Sequence, residues 1–168
     1  ATMRIIPIAL ALCFVSNLAS AQQQPETPQE TADRIGQRII MSRVESSESV
    51  DWGQAIAVVD APVDEVMETV TDYANYSEFM PFFNQSRVMS QNGRGAVVYM
   101  QARVIRNTTT LWAQMRIAAQ RPRGDTRIVV GRMLRGNMDH FAARWEVTPV
   151  DDGRKTFIRF RILVDPDL

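Results

Sequence analysis

A single imidazole sets the first bound on what this chain can catalyse. His140 is the only histidine, which excludes any metal centre built on several histidines. It sits beside Asp139 at a position that reads as a solvated strand residue. A Ser-His-Asp arrangement needs a serine on a strained turn, and no G-x-S-x-G occurs. Neither G-x-G-x-x-G nor a Walker loop is present, and Asn92-Gly93-Arg94-Gly95 reads as a hairpin turn. The acidic pairs Asp64-Glu65 and Asp151-Asp152 read as a helix start and a turn, not as the two carboxylates of a glycosidase. Arg123-Gly124-Asp125 matches an adhesion tripeptide but has turn chemistry. Asn75, Asn84 and Asn107 each satisfy the glycosylation pattern, as chance matches in a polar sequence. No cofactor motif and no metal-ligand set emerges, and nothing in this inventory demands an enzyme.

What remains is a set of large, soft side chains: Met100, Met115, Phe141, Trp145 and Phe160. Methionine and aromatic rings fill irregular space and tolerate varied apolar guests, so these five are the candidate ligand-binding residues. Ordinary core packing is the competing reading of the same residues. All five fall on one face of segments that alternate with period two. Ala96, Val98, Met100, Ala102 and Val104 oppose Tyr99, Gln101 and Arg103. Leu111, Ala113, Met115, Ile117 and Ala119 oppose Trp112, Gln114, Arg116 and Gln120. Phe141, Ala143, Trp145 and Val147 oppose His140, Arg144, Glu146 and Thr148, and Ile158, Phe160 and Ile162 oppose Arg159 and Arg161. Such alternation means one dry and one wet face along a meandering antiparallel sheet. Alanines among the large residues of the dry face could leave a hollow or let a helix pack close.

The elements that must hold this sheet follow from local signals. Thr27-Pro28-Gln29-Glu30 is a capping box with proline at the first helical position, and Gly36 ends the short helix it starts. Arg38 to Glu45 and Trp52 to Val59 read as a hairpin. Asp60 to Phe83 reads as two consecutive helices. Pro62 opens the first, Val63, Val66, Met67, Val70, Tyr73 and Ala74 form its apolar stripe, and Asn75 with Glu78 has capping-box spacing for a second that Pro81 stops. Strands then follow at Ser86–Ser90, Gly95–Ile105, Leu111–Gln120, Thr126–Leu134, Phe141–Thr148 and Lys155–Val164.

At 168 residues this is one domain's worth of chain, with 19 basic and 19 acidic residues and a formal net charge of zero. That balance gives no electrostatic reason to expect nucleic acid or an anionic membrane as partner. Arginine supplies almost every cation, with Lys155 the only lysine, which reads as coding bias rather than phosphate binding. Residues 3–21 read as a secretory signal peptide: Met3 and Arg4, an apolar run from Ile5 to Val15, and Ala19-Ser20-Ala21 as the cleavage site, with Ala1-Thr2 as extra residues ahead of the start. Leu12 before Cys13 does not fit a lipobox. Cleavage after Ala21 removes the only cysteine, which excludes disulfides and thiolate sites. The expectation is an exported protein of the bacterial periplasm with residues 22–37 as linker and short helix and 38–168 as its domain.

The stretch Val58 to Phe82, followed by Ser86-Arg87-Val88, resembles the START-like, helix-grip (SRPBCC) superfamily. It is most similar to the polyketide cyclase/dehydrase and lipid-transport branch, which includes coenzyme Q-binding proteins. Ala61-Pro62, Asp72-Tyr73 and Tyr76 to Pro81 carry the resemblance, which runs from about Arg38 to Leu168. It implies an α+β helix-grip fold: a curved antiparallel sheet with a two-helix insertion after the second strand, gripping a long C-terminal helix over an apolar cavity. The chain stops at Asp165-Pro166-Asp167-Leu168, so the gripping helix is expected to be missing and the domain C-terminally truncated, with the 28–35 helix covering part of the dry face. The implied function is binding or transport of a lipid, quinone, sterol or polyketide-like molecule without catalysis, with membrane or carrier contact for delivery. Two alternatives stand beside it. One is an aromatase/cyclase- or dehydrase-like enzyme, which needs a polar group such as Tyr99, Arg103 or Arg132 turned inward, against the alternation of Tyr99 and Arg103. The other is an interaction domain with a filled core.

Overall fold

The computed structural model describes residues 24–93, 95–104 and 108–166. The signal-peptide and Cys13 readings fall outside these residues, as do Arg94, Ile105, Asn107 and Leu168. The chain runs through helix α1 (Pro28–Ile35), strands β1 (Ile40–Val44) and β2 (Trp52–Val59), and helix α2 (Val63–Val70). A 3-10 turn (Tyr73–Asn75) and helix α3 (Tyr76–Phe79) follow. Six strands complete it: β3 (Phe83–Asn92), β4 (Gly95–Val104), β5 (Thr109–Ala119), β6 (Arg127–Gly136), β7 (His140–Val150) and β8 (Lys155–Asp165). They form one antiparallel eight-stranded sheet ordered β1-β2-β8-β7-β6-β5-β4-β3.

That the sheet is curved follows from one distance. Four strand-to-strand steps separate β3 from β7, about 19 Å across a flat sheet at ~4.8 Å per step. Yet the rings of Phe83 on β3 and Phe141 on β7 stack with centroids 6.2 Å apart. The sheet therefore folds over its own inner face. Bulges supply part of the bend: the register shifts in β3 between Phe83 and Gln85 and between Val88 and Ser90, and in β6 at Leu134, opposite Gln114 and Met115 of β5. At the last of these, Gly136 passes so close to β5 that a Cβ would lie 2.5 Å from the Trp112 carbonyl oxygen. Asn137 clamps the same place, donating to the Thr110 carbonyl at 2.8 Å and accepting from the Trp112 N–H at 2.8 Å.

The inner face carries the main core. Val98, Met100, Ala113, Met115, Val129 and Val147 are buried there, with Val66 and Val70 of α2 and Tyr73 and Tyr76 beyond it packed over one end. Arg127 and Asp64 pair at 2.6 Å, and Thr156 donates to the Ala61 carbonyl at 2.7 Å, fixing α2 to the sheet. Two local expectations shift. Pro62 is the residue before the first helical turn rather than its first member. Asn75 makes no capping bond to its own helix; its amide donates to Asp72 at 2.9 Å, so a 3-10 turn intervenes before α3.

Helix α1 has the predicted capping box, with Thr27 accepting from the Glu30 N–H at 3.2 Å and Glu30 accepting from the Thr27 N–H at 2.8 Å. Its position differs from the expectation. Ala32 and Ile35 pack on Val150 and Phe157, beside Ile56 and Val58. Phe157 adjoins Ile158, which faces the main core, so the two point to opposite faces. Helix α1 thus covers the β2–β8–β7 part of the outer face and none of the inner one. The reason lies in β2 and β8, where Ile56, Val58 and Phe157 are apolar at outward positions. Among the described residues no helix follows β8.

Candidate functional site

Because α2 and α3 close only one end of the inner face, the other end stays open as an apolar cleft of about 480 Å³. Its walls come from β4 and β5 on one side (Met100, Ala102, Leu111), from β7 and β8 on the other (Phe141, Phe160, Ile162), and from Phe83 between them. Met41 and Phe82 stand at its edge with 80% and 74% of their surfaces in solvent. Deeper in lies a narrow, largely apolar space of about 20 Å³, room for roughly one water.

All five residues singled out from the sequence, Met100, Met115, Phe141, Trp145 and Phe160, line that inner void. Met100, Phe141 and Phe160 also line the open cleft, whereas Met115 and Trp145 do not reach it. Trp145 and Phe160 pack ring against ring with centroids 4.2 Å apart. Sequence reasoning missed Tyr76, Met80, Phe82, Phe83 and Met138. The available signal was the apolar run Phe79-Met80 and Phe82-Phe83 around Pro81, too dense for a helix that ends there.

No charged residue lines either space. The one ionisable group at the void is the Tyr76 phenol, whose hydroxyl donates to the Val70 carbonyl. Burial, with the neighbouring Tyr73 adding to it, pushes its pKa far above the ordinary tyrosine range, and burial raises Tyr73 as well. The phenol is thus held neutral and hydrogen-bonded within the core. The polar residues that the cyclase reading singled out do not line either space. Tyr99 stacks on Trp112 at 6.2 Å and its hydroxyl donates to Gln101, both on the outer face, and Arg103 and Arg132 are exposed. His140 is half exposed, 3.6 Å from Glu48. Among the described residues no three His, Cys, Asp or Glu side chains gather as a metal site, and no helix is long and apolar enough to cross a membrane.

A bent antiparallel sheet with a helix pair inserted after its second strand, folded over an apolar interior, defines the START-like class of α+β proteins. The chain belongs to the family described as polyketide cyclase / dehydrase and lipid transport, whose sequence profile matches residues 59–168. Solved structures share the fold at low identity. The STAR-related lipid transfer protein from Xanthomonas axonopodis superposes with a TM-score of 0.57 at 13% identity, covering 75% of this chain and 82% of that one. The Zhui aromatase/cyclase from Streptomyces sp. R1128 gives 0.54 at 17% identity over 74% and 69%. Human STARD10 gives 0.56 at 10% identity over 87% and 70%. Among curated proteins none matches the chain.

Proposed function

We propose that this protein binds and carries an apolar small molecule, of the lipid, quinone, sterol or polyketide-like class, without transforming it. The observation that carries this reading is the uncharged cleft of about 480 Å³, inside the ~300–1,000 Å³ range of small-molecule sites. Affinity would come from burying apolar ligand surface, at roughly 25 cal/mol per Å² before ordering costs. The lipid-transport family and the likeness to a lipid transfer protein support it. The cyclase reading needs Tyr99, Arg103 or Arg132 turned inward, and none of the three lines the cleft, whose polar side chains include only the uncharged Ser42 and Gln54. Export to a periplasm belongs to the same proposal and rests on residues 3–21.

The test is to purify the full-length protein from its own cells, release bound molecules into organic solvent, and identify them by mass spectrometry. Emptied protein is then titrated with the neutral dye N-phenyl-1-naphthylamine. An apolar molecule at near one per chain, displaced by the dye, is the expected result. Protein that emerges empty and does not bind the dye would rule the carrier reading out, and cell fractionation checks export.

A further inference from the structure

The zero net charge hides a segregation that only the fold reveals. From Asp60 to Ser86 the chain carries acids and no Lys or Arg, whereas strands β4, β5 and β6 contain no Asp or Glu. On the outer face, Arg116, Arg121, Arg123, Arg132 and Arg144 line one open groove of about 850 Å³ whose walls include no acidic residue. Arg116 and Arg132 are direct partners in the β5–β6 register, which sets their Cβ atoms roughly 4.5–5.5 Å apart. Arg144 pairs with Val130, two residues along the same face from Arg132. Like charges placed so are mutually destabilising.

Nothing in the fold uses most of these side chains. Arg144 is bonded to Glu146 at 2.8 Å. The guanidiniums of Arg116, Arg121, Arg123 and Arg132 have no hydrogen-bond or ion-pair partner among the described residues, and all four are exposed. The nearest acid along the chain is Asp125, exposed in the β5–β6 turn. Val130 and the half-exposed Leu134 give the groove an apolar wall.

We infer that this groove is a second binding site, separate from the apolar cleft, for a ligand bearing phosphate groups. Guanidinium forks match phosphate oxygens two bonds at a time, and a multiply charged anion between Arg116 and Arg132 turns their repulsion into two attractions. Coding bias accounts for arginine over lysine, but not for the gathering of arginines from three strands and a turn, with Asp125 and the Arg144-bound Glu146 as the nearby carboxylates. The phosphate source is either a soluble molecule or a phospholipid headgroup. The site stands whether or not the cleft holds an apolar guest.

The experiment titrates the full-length protein with inorganic pyrophosphate by calorimetry. In parallel, it is sedimented with phosphatidylcholine vesicles with and without phosphatidylglycerol. Arg116→Gln/Arg132→Gln is compared with Arg43→Gln/Arg103→Gln, which removes the same charge outside the groove. Saturable pyrophosphate binding, weakened about tenfold or more by the groove pair alone, is expected. Added capture by the phosphatidylglycerol vesicles assigns a headgroup, and pyrophosphate binding without it assigns a soluble phosphate. Without ligand, the groove pair should melt no lower than wild type, since it relieves repulsion. Failure to bind either probe, equal loss in both pairs, polyglutamate binding as tight as pyrophosphate, or a melt several degrees lower would each overturn the inference.

Discussion

Filling the cleft should abolish its use without harming the fold, and Ala102 is the place to do it. Its side chain lines the cleft wall on β4, is only partly buried, and lies between Phe83 and Leu111 in the register. A tryptophan there has open space in front of it. An aromatic side chain buries roughly 150–250 Å², so a ring with half its surface on the cleft denies a guest about 100 Å² of wall. At roughly 25 cal/mol per Å² that is about 2.5 kcal/mol, or close to seventyfold in Kd. The assay is N-phenyl-1-naphthylamine fluorescence, chosen because a neutral dye does not respond to the arginine groove. Ala113 is the contrast: it is 0% exposed, so Ala113→Trp overpacks the core and lowers the melting temperature, by about 1–3 kcal/mol of stability or more. If Ala102→Trp melts like wild type and still binds the dye with wild-type affinity, the cleft is not where apolar guests sit.

Three further outcomes are expected. Gly131→Ala should stabilise the protein by about 0.4–1 kcal/mol, because its new Cβ meets Met115 and Ile117 at ordinary contact distances of 3.4 and 3.5 Å. Gly136→Ala, with its Cβ 2.5 Å from a backbone oxygen, should destabilise it by about 1–3 kcal/mol; indistinguishable melts of the two would refute both. Phe157→Ala should cost about 3–5 kcal/mol and strip amide-exchange protection from α1, since Phe157 is 2% exposed beneath Ala32 and Ile35; retained protection in α1 would refute it. Burial alone would raise the Glu146 pKa, but Arg144 and Arg159 outweigh it and hold the carboxyl below its ordinary value. A depressed carboxyl contributes stability that is present above its unfolded pKa and lost as pH falls through the folded one. Glu146→Gln should therefore flatten the loss of stability in acid urea melts, and an unchanged acid limb would refute this.

How far the sequence could be read depended on whether a signal was local. The Thr27–Glu30 capping box and the β4 and β5 alternation were legible because each is decided within a few residues. Asn75 had the right spacing for a cap but found Asp72 closer, a competition that spacing alone does not rank. The face chosen by α1 was hidden because Phe157 lies far along the chain from Ile56 and Val58, and only the β2–β8 register makes them one patch. The five inward residues were legible as a face but not as a room. Whether Met115 and Trp145 reach the open cleft depends on how sharply the sheet bends, and bulges set that bend. Net charge, being a sum, registers no placement, so the gathering of arginines on the outer face was not legible from it.

The Phe83–Phe141 stack works as the string of a drawn bow. It joins two limbs of the sheet that no backbone hydrogen bond connects, and both of its rings belong to the cleft wall. If the cleft carries a guest as proposed, one wide enough to part those rings would slacken the string and let the limbs spread, and a slimmer one would slip beneath with the bow still bent. On that reading, size would be registered by bending of the whole sheet instead of at a single gatekeeping side chain.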